Sequence, residues 1–367
     1  MNAKPRITLQ GIGVVGGFGC GVSDLARALS VGPARPGSFS FPTGGGPVSL
    51  PAFRAETARL KDFVPGRTLR RIDHFSRLGV LGSFLALEDA GLPEADRSRL
   101  GVIVATGYGA TGITFAFLDS FINDGDICAS PTHFANSVHN SAAANISVLL
   151  GAAGPCLTIS QFHLSVPSAL STARLWLAEG RVDRVLFGAI DELSDLVSYV
   201  WYRQRGVPKS DAMAPLSTGK ETAVPGEGAA FLLLSATEEE REGYCTLDAA
   251  VTGSRPGAAI LPPVPALAVL GADGRVETGS RYAALAANAR VACYTSLYGS
   301  MPAGPAFDLA AAALVVKDGL VFPTPGAEGC DFPALVSAGM ERLDASQVAC
   351  LTLDDGDGYG LATLGRL

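Results

Sequence analysis

The sequence predicts a layered α/β fold, and three observations carry that expectation. Short apolar runs rich in β-branched residues alternate with segments whose apolar residues recur at helical spacing. Glycine or proline punctuates the joins between them. Hydrophobic residues make up 48 % of the 367 and charged residues only 17 %, so the chain must enclose a large core or cover an interface.

The elements follow in order. Residues 6–10 read as a strand that leads through GIGVVGGFGCG into the helix SDLARALS. Residues 34–52, rich in Pro, Gly and Ser, read as an irregular surface excursion. A helix is expected over 73–90, where FSRLGVLGSFLALEDAG ends on a glycine. GVIVAT at 101–106 is a buried strand, and GYGATG turns into a helix near 112–122. Residues 141–150 look helical and 155–160 strand-like, and Pro167 suits the first turn of a helix over 166–179. DRVLFGAI at 183–190 is another buried strand. A polar loop covers 205–228, followed by strands at 229–235 and 245–253. Residues 254–280 are again Pro/Gly-rich, a helix spans 305–318, and CLTLDDGDGYGLATL closes the chain. The expected organisation is an N-terminal half over 1–240 and a shorter C-terminal half over 241–367. Without a repeat of 20–50 residues, a solenoid is not expected.

Composition removes several function classes. A net charge of −7 argues against nucleic acid as a partner. No apolar run reaches the roughly eighteen residues of a membrane span, and the start carries no signal-like apolar stretch, so a cytoplasmic location is expected. The seven cysteines are scattered without a C-x-x-C pair and read as reduced, mostly buried thiols. No metal is expected, since neither H-E-x-x-H nor a paired ligand cluster occurs. GIGVVG at 11–16 matches G-x-G-x-x-G, but no acid follows about 20 residues on to hold a ribose. It reads as a structural glycine turn, and no cofactor is expected. No G-x-S-x-G elbow is present. The four histidines are His74, His133, His139 and His163, so any site needing a histidine from the C-terminal half is ruled out.

Five stretches carry a family resemblance. ITLQGIGVVGGFGCGVSDLARAL, RRIDHFSRLGVLGSFLALEDAGL, PTHFANSVHNSAAANISVLLGAAGP, APLSTGKETAVPGEGAAFLLL and TSLYGSMPAGPAFDLAAAALVVKDGLVFPTP are similar to segments of β-ketoacyl-acyl-carrier-protein synthases. The likeness is strong over 1–235 and looser beyond, where this chain is shorter than a typical synthase. The resemblance implies the thiolase fold, two similar halves in α-β-α-β-α layers.

In that family a cysteine at a helix N-terminus takes the acyl chain as a thiolate, and two histidines of the second half drive decarboxylation. The resemblance puts His163 at the cysteine position, Asp273 and Ser300 at the two histidine positions, and Thr295 at a lysine position. Cys156 is not a displaced nucleophile. At a helix N-terminus the His163 imidazole would be held neutral by the helix dipole and could hold a carbonyl. The expectation is instead that it fills the volume left by a lost thiol, because no second histidine remains to work with it.

The chain is therefore expected to be a non-catalytic, chain-length-factor-like partner of an active β-ketoacyl synthase, similar to partners in aryl-polyene and other highly reducing type II polyketide systems. Its partners would be that synthase, in a large permanent interface including 131–145 and 155–160, and an acidic acyl carrier protein. Arg67, Arg70, Arg71, Arg203, Arg205 and Lys209 are the basic candidates for the carrier. Within 131–140, Phe134 and Val138 stand four apart and are expected to share a helical face as the end wall of an acyl tunnel. His133, His139 and Asn140 are expected to satisfy backbone groups there. A divergent acyl-processing enzyme centred on His163 and a homodimeric acyl-binding scaffold are the alternatives.

Overall fold

The computed structural model describes residues 5–367 apart from 33–34, 93–95, 209–211, 237–242, 255–264, 286–288, 328–329, 331, 333 and 338. The expected boundary near 240 and Lys209 both lie outside the described residues.

The chain opens with β1 (Thr8–Gly16), β2 (Gly19–Cys20), α1 (Val22–Val31), β3 (Gly37–Phe41) and β4 (Val48–Ala52). It continues through α2 (Gly66–Leu69), α3 (His74–Asp89), β5 (Leu100–Ala105), α4 (Thr111–Asp124), α5 (Pro131–Asn136), α6 (Ser141–Leu150) and β6 (Cys156–Ile159). Next come α7 (Ser165–Ala178), β7 (Arg184–Asp191), α8 (Asp195–Arg205) and β8 (Gly228–Ser235). The second half holds β9 (Cys245–Ser254), β10 (Leu267–Leu270), α9 (Val276–Leu285), β11 (Arg290–Ala292) and α10 (Gly304–Asp318). It ends with β12 (Leu320–Val321), β13 (Glu341–Arg342), β14 (Gln347–Leu353) and β15 (Gly358–Gly365).

The two halves repeat one topology. From the seam outward, one runs β1-β8-β7-β5-β6 and the other β9-β15-β14-β10-β11. In each, the first two pairings are antiparallel and the next two parallel. A short antiparallel contact, Thr8 with Thr246 and Leu9 with Cys245, joins them. Helices α3 and α6 pack on one face of the first half, where Phe75, Leu78 and Ile146 meet Leu186, Phe231 and Leu233. Helices α7 and α10 share a core with strands of both halves, and α10 is buried from Gly304 to Val316. Tyr282 of α9 packs with Leu270 and Leu351 on the far face. The layers are therefore α-β-α-β-α.

Sequence signals at several boundaries explain these elements. Asp73 caps α3 by accepting the Ser76 backbone N–H at 2.8 Å, a contact that stabilises a helix start by about 1 kcal/mol. Gly151 and Gly319 end α6 and α10 in the left-handed conformation.

Two expectations are corrected. GIGVVG is not a turn but lies within β1, because its glycines admit α3: a Cβ on Gly13 would lie 1.9 Å from the Gly82 carbonyl oxygen. Residues 37–52 are not irregular but form the β3–β4 hairpin, whose register runs from Gly37–Ala52 to Phe41–Val48. The cysteines form no disulfide; Cys245, Cys293 and Cys350 are buried, whereas Cys128 and Cys156 are exposed, so burial is less general than expected. No helix among the described residues is long and apolar enough to cross a membrane.

Candidate active-site remnant and dimer face

Strand β6 delivers the chain to a short 3-10 turn, Phe162–Leu164, and then to α7. Phe162 has φ +47°, the one non-glycine left-handed residue among those described. Such a backbone costs on the order of 1–3 kcal/mol and persists only where its surroundings impose it. Here Gln161 N–H donates to Ser165 Oγ at 2.7 Å, and that hydroxyl lies 2.7 Å from the Phe162 carbonyl and 2.9 Å from that of Thr106. The Thr106 loop is fixed from beneath by Asp191, which accepts the Thr106 hydroxyl at 2.9 Å and the N–H groups of Gly107 and Tyr108 at 3.0 and 2.9 Å. Burial pushes the Asp191 carboxyl up to about 6 despite those donors.

The turn aims His163 at the second half. His163 is more than 100 residues from Asp273 and Ser300 in sequence, yet the three meet in one cluster. Ser300 Oγ donates to Asp273 Oδ2 at 2.5 Å. Arg275 Nε donates to both Asp273 oxygens, at 3.0 and 2.8 Å. The same guanidinium reaches Asp355 Oδ1 at 2.7 Å and His163 Nε2 at 3.3 Å. Asp355 Oδ2 is 3.8 Å from His163 Nε2. Asp273 and Arg275 are almost fully buried, with side chains 8 % and 9 % exposed, whereas Asp355 faces solvent. Thr295 is buried, and among the described residues no hydrogen bond joins its hydroxyl to this cluster.

The electrostatics follow from this geometry. Burial alone would raise the Asp273 carboxyl, but Arg275, the Ser300 hydroxyl and His163 hold it below its ordinary value. Burial, then the neighbouring Arg275 charge, pushes His163 down, so the imidazole is neutral near pH 7. The expected helix dipole is thus not the leading cause. A guanidinium only donates, so His163 Nε2 accepts and the proton sits on Nδ1. That leaves no thiolate and no free base: the ring's lone pair and the Asp273 carboxylate both face Arg275. The sequence pointed to His163, Asp273 and Ser300. It missed Arg275 and Asp355, which hold them together; the only local hint was a cation two residues after Asp273.

The first half exposes many apolar side chains. Helix α4 has no buried residue, and Phe115, Ile122, Ile127, Phe134, Val138, Leu157, Phe162 and Val200 are exposed. Phe134 leans on Phe117 with ring centroids 5.4 Å apart. The helical face expected for Phe134 and Val138 is not formed, because α5 ends at Asn136 and Val138 lies beyond it. His139 differs from both: it lines a chamber of about 400 Å³ with Tyr108, Phe162, Val200 and Trp201. Its ring covers Gly109, where a Cβ would lie 2.6 Å away. The expected backbone contacts of His133, His139 and Asn140 are not made by their side chains among the described residues; Asn136 makes one instead, donating to the Arg71 carbonyl at 3.0 Å. Arg67, Arg70 and Arg71 are exposed. Arg205 is committed to Glu221 and lies over Trp201, and Arg203 donates to the Tyr199 hydroxyl at 2.9 Å.

Residues 43–240 match the β-ketoacyl synthase N-terminal domain, more than half of the chain. The chain belongs to the β-ketoacyl synthase family. It is 24 % identical over 269 residues to 3-oxoacyl-[acyl-carrier-protein] synthase 2 of Coxiella burnetii, covering 68 % of this chain and 62 % of that protein. It is 28 % identical over 280 residues to a putative polyketide β-ketoacyl synthase 1 of Streptomyces virginiae, covering 69 % of this chain and 66 % of that one. The match thus spans slightly under two thirds of these relatives. Among solved structures, a β-ketoacyl synthase from Burkholderia phymatum superposes with a TM-score of 0.81 at 19 % identity, covering 99 % of this chain and 100 % of that one. The ishigamide ketosynthase/chain length factor gives 0.78 at 20 %, covering both chains completely. The ketosynthase ApeO in complex with its chain length factor ApeC, from Xenorhabdus doucetiae, gives 0.77 at 15 %, covering 99 % and 98 %. The thiolase fold is shared by this β-ketoacyl synthase family member and its structural neighbours.

Proposed function

We propose that this chain is a non-catalytic ketosynthase-like subunit. It pairs with an active β-ketoacyl synthase and shapes the tunnel for the growing acyl or polyene chain in fatty-acid or type II polyketide synthesis. One observation carries the reading. Where the family's chemistry needs a thiolate and two imidazoles, a buried Asp273–Arg275 pair closes on Ser300 and His163. The neutral His163, its acceptor nitrogen turned to a guanidinium, offers neither a nucleophile nor a base. The exposed apolar residues Phe134, Val138, Leu157 and Phe162, the last next to His163, support a large permanent interface that buries more than about 2,000 Å². Two of the neighbours above are ketosynthase/chain-length-factor pairs by name. Arg67, Arg70 and Arg71 supply a basic patch suited to an acidic acyl carrier protein.

The test is reconstitution. The isolated chain, incubated with malonyl carrier protein and an acyl primer, should neither decarboxylate malonate nor extend the primer. Together with a synthase carrying intact cysteine and histidines it should form a stable pair that extends. Decarboxylation or extension by the isolated chain would favour the divergent enzyme centred on His163. A stable homodimer that ignores such a synthase would favour the scaffold.

A further inference from the structure

A second cavity lies away from the cluster, between α4, the start of α8 and the β3–β4 hairpin. Its volume is about 790 Å³, within the range of small-molecule sites. Three rings, Phe39, Phe115 and Tyr199, stand in its wall.

The charges facing it are unbalanced. Its two cationic groups are already engaged, and by the same buried acid. Arg54 Nε lies 2.6 Å from Glu227 Oε1, and His74 Nε2 lies 3.2 Å from Glu227 Oε2. Arg54 also sits over the Phe39 ring, 4.4 Å from its centroid. Three carboxyls remain. Asp119 and Asp195 are exposed in the wall and have no cationic partner among the described residues. Glu192 is only 6 % exposed. Its Oε1 accepts the Gly112 N–H at 2.7 Å, and its Oε2 has no hydrogen bond among the described residues. Burial pushes its carboxyl up to about 7, and the Gly112 N–H and the nearby His74, itself held by Glu227, offset only part of that rise.

We propose that this cavity binds a small organic ammonium ion, with the charged nitrogen at Glu192 Oε2 and the apolar body among Phe39, Phe115 and Tyr199. The chemistry selects that class. An anion would meet three carboxyls. A purely apolar ligand would leave Glu192 Oε2 dry and unpaired, which is unfavourable for a buried acceptor. An ammonium supplies the missing donor, restores the ionised carboxylate, and gains from aromatic faces within about 6 Å. The inference does not depend on pairing with a synthase.

Calorimetric titration of the full chain with phenethylamine, against the similarly shaped 3-phenylpropionate, tests it. The amine should bind saturably with one site per chain, at least about tenfold more tightly than the acid. Glu192→Gln keeps the shape and the Gly112 contact, and should weaken the amine by about tenfold or more. Asp119→Asn, on the exposed rim where folding is not at stake, should weaken it by about two- to threefold and flatten its salt dependence. Equal binding of amine and acid, the absence of saturable heat, or unchanged affinity in both variants would overturn the proposal. If Glu192→Gln fails to fold, the amine-to-acid ratio and Asp119→Asn decide alone.

Discussion

Replacing Arg275 with methionine isolates the interaction that holds Asp273 and His163 together. The substitution keeps much of the side-chain length and removes the charge. Asp273, 8 % exposed, then loses both guanidinium bonds and keeps the Ser300 hydroxyl as its remaining side-chain donor. Breaking a buried ion pair on one side costs about 3–5 kcal/mol. The bond from Arg275 to Asp355 adds little, because Asp355 is 71 % exposed and solvent screens it. Ser300 offsets part of the loss, so about 3 kcal/mol is expected. At roughly 2.1 cal/mol/K of unfolding entropy per residue, a chain of 367 residues would lose about 4 °C in melting temperature at pH 7. The double variant Arg275→Met with Asp273→Asn should recover most of it, since no charge is left buried. The pH dependence has a definite sign. In the native chain Asp273 is held below its ordinary value, so its stabilising contribution is present above the unfolded carboxyl range and is lost as pH falls through the lower folded value. In Arg275→Met the buried carboxyl is raised instead, so the deficit against the native chain should shrink on acidification. Thermal and denaturant unfolding of the three chains between pH 4 and 8 measures all of this. A single variant as stable as the native chain, or a deficit that the double variant deepens, would refute the reasoning.

Further outcomes are expected. His163→Cys should not restore condensation, because a thiol beside Arg275 still lacks both imidazoles; acyl transfer followed by carbon–carbon bond formation, read by mass spectrometry, would contradict this. His163→Gln should lessen the loss of stability as pH falls below about 6.5: the folded imidazole is held neutral while the unfolded one takes up a proton, so acidification favours unfolding. Equal pH slopes for the native chain and the glutamine variant would show that His163 is not the titrating group. With the synthase partner bound, Phe134→Ala should lengthen the product and Val138→Phe shorten it by a two-carbon unit, a steric intrusion being worth about 1–3 kcal/mol; an unchanged product distribution with the pair intact places the end wall elsewhere. Reversing charge at Arg70 and Arg71 should raise the KM for carrier protein and reduce its salt dependence, and unaltered kinetics would remove these arginines from docking.

The parts of the fold that were legible in sequence are those decided locally. Apolar residues at helical spacing and a closing glycine announced α3, the continuous apolar runs of β5 and β7 announced buried strands, and that of β8 announced a strand. GIGVVG misled because its glycines answer to a helix more than 60 residues away, a demand that no local pattern records. The Phe134–Val138 face failed for a different reason. Four-residue spacing has meaning only while the helix lasts, and Ser137 already caps it. At the site, resemblance singled out His163, Asp273 and Ser300. It could not supply the groups that join them, since Arg275 and Asp355 gain their roles only through contacts with His163, 112 residues from Arg275. Glu192 and its cavity were invisible for the same reason.

The Asp273–Arg275–Ser300 arrangement also bears on how such a chain can change by single substitutions. A cysteine at 163 would face a guanidinium with no imidazole to use. A histidine at 300 would remove the hydroxyl from Asp273 and press a bulky ring into a space already filled. Losing Arg275 first would strand the buried carboxylate, at several kcal/mol in a chain whose whole stability is of order 5–15 kcal/mol. Each first step toward a thiol-and-imidazole site is therefore neutral at best and damaging at worst. The network behaves as a ratchet: under the proposed non-catalytic role, the fold's own energetics oppose each single substitution toward a thiol-and-imidazole site.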